Sequence, residues 1–135
     1  MAHEPIKRTW KVVCIEDEAP MVELLGFILK TNGFEGHMAM SGQEGLELIR
    51  SLRPDLVLLD LMLPGMDGWE VYQHMKADEI MRAIPVIIVT SKAHSIDETL
   101  ARNIAKVDDY ITKPFNPKKL AESIVRILGI SRKTS

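Results

Sequence analysis

Asp60 follows the apolar run Leu56-Val57-Leu58-Leu59 and precedes Leu61-Met62-Leu63-Pro64-Gly65-Met66-Asp67-Gly68, a segment dense in turn formers. Four apolar residues bounded by Pro54 and by Pro64-Gly65 read as a strand buried on both faces, as in parallel sheets. Asp60 then stands at the strand's C-terminal edge, where such sheets bind ligands. A second acidic group, Glu16-Asp17-Glu18, stands in the same relation to the run Lys11-Val12-Val13-Cys14-Ile15. Carboxylates gathered in this way repel one another and need a compensating cation, and an all-oxygen ligand set favours Mg2+, with Mn2+ as a substitute. Two more strand ends carry Thr90 and Lys113. Together these residues describe a divalent-metal and phosphoryl site. Asp60 would attack a phosphoryl donor to give an acyl phosphate. Asp17 and Asp60 would hold the metal directly, Glu16 through water, and Met62 through its backbone carbonyl. Lys113 would clamp one phosphoryl oxygen, and the Thr90 hydroxyl would donate to another and so sense whether the group is present.

For these strand ends to meet, the chain must alternate strands and helices around an open parallel sheet covered on both faces. Pro20 opens a helix carrying Val22, Leu25, Ile28 and Leu29 on one face, and Asn32-Gly33 stops it. A short strand is expected from Gly36 to Met40. Ser41-Gly42-Gln43-Glu44 fits a capping box, followed by the helix face Leu46, Ile49 and Leu52. Asp67-Gly68 reads as a turn, and Trp69, Val71, Tyr72 and Met75 as the next helix. After the strand Val86-Ile87-Ile88-Val89, a second capping box, Ser95-Ile96-Asp97-Glu98, opens a helix through Ile104 whose apolar face is sparse. Asp109-Tyr110-Ile111-Thr112 forms the last strand. Asn116-Pro117 then pairs an N-cap with a proline at the first helical position, and Gly129 ends the closing helix.

With 135 residues, 46% of them hydrophobic, the chain suits one domain, expected over 10–129 with a short extension at 1–9 and a polar tail at 130–135. Its 17 basic and 19 acidic residues leave a net charge of −2, without the positive excess that drives direct nucleic-acid binding. Cys14, the single cysteine, lies inside a strand and reads as a buried thiol. His3, His37, His74 and His94 show no metal-ligand spacing. No run reads as a signal peptide or membrane span, so a cytoplasmic location is expected. The polar tail and ordinary start favour a stand-alone chain over the receiving piece of a longer one.

The motifs Ile15-Glu16-Asp17-Glu18, Leu58-Leu59-Asp60-Leu61-Met62-Leu63-Pro64, Met66-Asp67-Gly68, Val89-Thr90-Ser91 and Asp108-Asp109-Tyr110-Ile111-Thr112-Lys113-Pro114-Phe115 occur in this order. In them the chain resembles the receiver domain of two-component response regulators, from about Lys11 to Leu128. The resemblance implies a flavodoxin-like (CheY-like) α/β fold: a doubly wound five-stranded parallel sheet, (βα)5, in three layers. It implies Asp60 as acceptor of a phosphoryl group from a histidine kinase's phosphohistidine, with Mg2+ required. It also implies a cis Lys113-Pro114 bond and Tyr110 as a switch aromatic that turns inward as Thr90 moves toward the phosphoryl group. Such a chain is a switch with only self-phosphorylation and self-dephosphorylation chemistry, not an enzyme on other substrates. Its partners would be a sensor histidine kinase or phosphotransfer protein and a downstream protein, met around the fourth helix, last strand and last helix, and a phosphorylation-linked homodimer is open. Lys106-Val107 departs from the small pair common in that family, and Met62 and Lys92 stand where receivers control water access to the acyl phosphate. A haloacid-dehalogenase-like phosphatase would need a second acid where Met62 stands. The other alternative is a pseudo-receiver that binds partners without phosphorylation.

Overall fold

The computed structural model describes residues 9–91 and 106–130. Among these residues the chain runs β1 (Lys11–Ile15), α1 (Ala19–Thr31), β2 (Glu35–Ala39), α2 (Gly42–Leu52), β3 (Leu56–Leu59), α3 (Gly68–Ala77), β4 (Val86–Ser91), β5 (Asp109–Lys113) and, labelled here α4, Pro117–Leu128. The helix expected to open at Ser95 lies outside the described residues, as does Lys92. The five strands form one parallel sheet in the order β2-β1-β3-β4-β5. The reversal of strand order beside β1 puts the ends of β1 and β3 at a topological switch point.

Burial on both faces explains the apolar runs. Val13, Ile15, Val57, Leu59 and Ile88 pack on one face against Leu46 and Ile49 of α2 and Val71 and Met75 of α3. Val12, Cys14, Leu56, Leu58 and Val89 pack on the other against Leu25 and Leu29 of α1 and Leu120 and Ile124 of α4. Each such buried aliphatic side chain contributes about 1.5–3 kcal/mol. These are the three layers of the flavodoxin-like arrangement.

Local chemistry sets most boundaries. The side chains of Ser41, Asp67 and Asn116 cap α2, α3 and α4, accepting from the N–H of Glu44, Glu70 and Lys118 at 3.1, 3.0 and 2.8 Å. Asp67, read from sequence as a turn residue, is thus a helix cap. Gly129, left-handed at φ 68°, closes α4, and Ile130 folds back to donate to the Val125 carbonyl at 3.0 Å. Strand β2 starts one residue before the expected Gly36, because the Glu35 N–H bonds to the Trp10 carbonyl at 2.8 Å, and Met40 has already left the sheet.

At the N-terminal edge of the sheet, two aspartates clamp neighbouring strands. The Asp55 carboxylate accepts from Lys11 N–H at 2.8 Å, and the Asp108 carboxylate accepts from Val86 N–H at 2.8 Å. In return, Asp55 N–H donates to the Lys11 carbonyl and Asp108 N–H to the Val86 carbonyl. Just before the second clamp, Lys106 holds a left-handed φ of 57°. That conformation explains why the position suits the small residue of the resembled family.

Candidate functional site

At the opposite, C-terminal edge the strands deliver the residues singled out from sequence. Glu16 directly follows β1 and is tied to β2 by its N–H on the Ala39 carbonyl at 2.9 Å. Asp60 directly follows β3, its N–H on the Ile15 carbonyl at 3.1 Å. Neighbouring strands thus hold the two acids side by side. Thr90 is paired with Thr112 inside β4, and Lys113 is the last residue of β5. Glu16, Asp60 and Thr90 are 1%, 4% and 0% exposed.

The Asp60 carboxylate is shared among three donors. Its Oδ1 accepts from the Thr90 hydroxyl at 3.0 Å and from the Met62 N–H at 2.9 Å, and its Oδ2 accepts from Lys113 Nζ at 3.0 Å. Lys113 reaches beyond β3 to Glu16 Oε1 at 2.5 Å, which only a long flexible stem placed at a strand end allows. The other Glu16 oxygen accepts from Glu18 N–H at 3.1 Å. The Lys113-Pro114 peptide is cis, as the resemblance implies.

Three carboxylates, on Glu16, Asp17 and Asp60, bring oxygens within 4.8 Å of one another. Lys113 is the cation in contact with Glu16 and Asp60. Burial raises the Glu16 carboxyl above its ordinary range and the nearby Asp60 charge adds to this, although bonds from Lys113 and Glu18 pull the other way. Burial alone would lower Lys113, but its bonds to Glu16 and Asp60 outweigh this and hold the ammonium charged. The negative charge is therefore undercompensated. The donor set is made of hard oxygens, and the residues fit a divalent cation such as those bound through carboxylates.

Met62 contributes its N–H to Asp60, while its side chain is 51% exposed. Tyr110, paired with Ile88 on β5, is buried at 4% exposure in the core against α2 and α3. Asp109 accepts from Tyr110 N–H at 2.8 Å and, through its other oxygen, from Ser123 at 2.5 Å and Arg126 at 3.0 Å. This joins the start of β5 to α4. Sequence reasoning missed that link, and it missed Gly68, whose N–H donates to the Leu61 carbonyl at 3.0 Å and closes the loop after Asp60. A glycine directly after the cap Asp67 is the one sequence signal for it.

The comparisons with known proteins agree with this geometry. The sequence profile of the response regulator receiver domain matches residues 12–125. The DNA-binding response regulator MtrA of Mycolicibacterium paratuberculosis is 39% identical over 114 residues, which are 84% of this chain and 49% of that protein. The chain thus spans about half the length of the curated relatives it matches. Among solved structures, a putative response regulator from Chloroflexus aurantiacus matches with a TM-score of 0.84 and 27% identity, over 90% of this chain and 99% of that one. The signal receiver domain of a histidine kinase from Syntrophus aciditrophicus matches with a TM-score of 0.81 and 30% identity, over 94% and 96%. A profile match over that span, on this sheet and with acids, hydroxyl and lysine meeting at its C-terminal edge, makes the chain a member of the response regulator receiver domain family, the signalling domains of two-component systems.

Proposed function

We propose that the domain, over residues 10–129, accepts a phosphoryl group on Asp60 and switches its surface to control a partner. The observation that carries this reading is the sharing of Asp60 between Thr90 on one oxygen and Lys113 on the other. Oδ1 already accepts two hydrogen bonds, so Oδ2 keeps the less committed lone pairs and is the nucleophile. The Lys113 ammonium stands where a phosphoryl group on Oδ2 would carry its negative oxygens. Asp17 and Asp60, with Glu16 through water and the Met62 carbonyl, would hold Mg2+ or Mn2+, which when bound neutralises charge on the transferring group.

Thr90 and Tyr110 form the switch. The Thr90 hydroxyl, now on Asp60 Oδ1, would turn to a phosphoryl oxygen, and that move would shift Tyr110 toward the inward position, which the side chain already holds at 4% exposure. Asp109 passes the position of β5 to α4 through Ser123 and Arg126. The donor is a sensor histidine kinase or a phosphotransfer protein, and the output is a downstream protein or a homodimer formed on phosphorylation. The chemistry stays on the chain's own Asp60, without turnover of other substrates and without direct binding to nucleic acid. No helix among the described residues is long and apolar enough to cross a membrane.

The test is intact mass after incubation with acetyl phosphate, with and without Mg2+, comparing the native chain with Asp60→Ala. One phosphoryl adduct that needs Mg2+ and is lost in the variant is the expected result. If neither acetyl phosphate nor a promiscuous histidine kinase loads the native chain, the domain is a phosphorylation-independent binding module instead.

A further inference from the structure

Glu18 occupies the N-cap position of α1, yet its side chain makes no capping hydrogen bond. Its carboxylate is turned toward the site, with Oε1 at 3.9 Å from Lys113 Nζ. Its own N–H is tied to Glu16 Oε2 at 3.1 Å, which fixes the backbone at the mouth. Of the three carboxylates in reach of Lys113, Glu16 and Asp60 have side chains 2% and 4% exposed, whereas that of Glu18 is 70% exposed. Glu18 is therefore the rim of the site, facing what arrives from solvent.

Resting on the reading of Asp60 as acceptor, we infer that Glu18 sorts phosphoryl donors by the charge on their leaving atom, favouring phosphorylated nitrogen over acyl phosphates. In an in-line displacement the leaving group lies opposite the nucleophile. With Asp60 at the floor, the leaving group points outward to the rim. From acetyl phosphate, the Asp60 oxygen forms the new P–O bond as the old P–O bond breaks, and the electron pair departs on acetate, building negative charge beside Glu18. From phosphoramidate or an N-phosphoimidazole, protonated on its nitrogen or its ring, the P–N bond breaks and the pair goes to the cationic leaving group, which departs as neutral ammonia or imidazole. Relative to the free donor, the Glu18 carboxylate repels the first transition state and attracts the second through the positive charge that its leaving group still carries.

The test measures the second-order rate of adduct formation by intact mass, at saturating Mg2+, for the native chain and Glu18→Gln. Acetyl phosphate and phosphoramidate serve as the two donors. Removing this exposed charge should speed the acetyl phosphate reaction and slow the phosphoramidate reaction, each by roughly two- to five-fold. The ratio of the phosphoramidate rate to the acetyl phosphate rate falls accordingly, falls further in Glu18→Lys, and shows a smaller change at high ionic strength. Because both reactions share the metal, any change in Mg2+ affinity cancels in the ratio. An unchanged ratio overturns the inference, whichever way the separate rates move. No adduct from either donor on the native chain overturns this inference, and if a promiscuous histidine kinase also fails to load the chain the acceptor reading falls with it.

Discussion

Gly68 lies against Asp60 so closely that a Cβ there would stand 2.3 Å from the Asp60 carbonyl oxygen and 2.5 Å from Leu61 Cα. Both obstacles are backbone, so neither can swing away. Gly68→Ala should lower stability by about 1–3 kcal/mol, read from the urea midpoint, and slow phosphorylation of Asp60 by shifting it. A variant as stable as the native chain would show that the loop yields freely and that Gly68 does not position the acceptor.

The carboxylates around Asp60 outnumber the ammonium that contacts them, so a divalent cation should stabilise the fold itself. Mg2+ at about a hundredfold excess over its dissociation constant adds roughly 2.7 kcal/mol, and chelation removes it. Asp17→Asn should abolish most of that gain in a thermal melt while raising the metal-free melting temperature slightly, since it removes one of the repelling charges from a half-buried position. An equal Mg2+ effect in both proteins would remove Asp17 from the ligand set.

Lys106 carries its Cβ in the left-handed region at φ 57°, a conformation that costs about 1–2 kcal/mol for a residue other than glycine. Glycine relieves this at an entropic cost of roughly 0.5–1 kcal/mol. Lys106→Gly should therefore raise stability by about 0.5–1 kcal/mol, whereas Lys106→Ala should not. Equal urea midpoints for the two variants would mean that the backbone there is not strained.

Beyond α3, Asp78 Oδ1 accepts from Ile80 N–H at 2.7 Å and from Met81 N–H at 3.0 Å. The bonds from Met81 and Ile80 hold its carboxyl below the ordinary range. A depressed folded pKa stabilises above the unfolded value of about 3.9, and the contribution is lost as pH falls through the lower folded value. The native chain should thus lose more stability than Asp78→Asn between about pH 6 and pH 3. Parallel pH profiles of the two urea midpoints would contradict this.

The chemistry of the site is legible in the sequence because each of its residues ends or directly follows a short run read as a strand, apolar for three of them and Asp109-Tyr110-Ile111-Thr112 for Lys113, and parallel strands place such ends together. Asp60, Glu16, Thr90 and Lys113 are read that way, and the structure brings them within hydrogen-bonding reach of one another. What periodicity does not carry is contact across distant elements. The approach of Gly68 to Asp60, the strand clamps of Asp55 and Asp108, and the bond of Ser123 to Asp109 all depend on tertiary proximity, not on local pattern. Asp67 reads as a turn because cap and turn share the same residue types, and only the helix that follows tells them apart. Likewise, β2 begins at Glu35 because its partner strand offers a carbonyl there, which no property of Glu35 announces.

Acids guard both ends of this sheet, and their spacing gives them different fates. At the N-terminal edge Asp55 and Asp108 stand apart, and each finds its partner in a backbone amide of the neighbouring strand. At the C-terminal edge Asp60 and Glu16 also take a backbone amide each, from Met62 and Glu18, but with Asp17 they form one cluster. Amide dipoles do not neutralise three gathered carboxylates, so the remaining positive charge must come from Lys113 or from solution. Dispersed acids thus make one end of the molecule electrically self-contained, and gathered acids leave the other in need of a visitor.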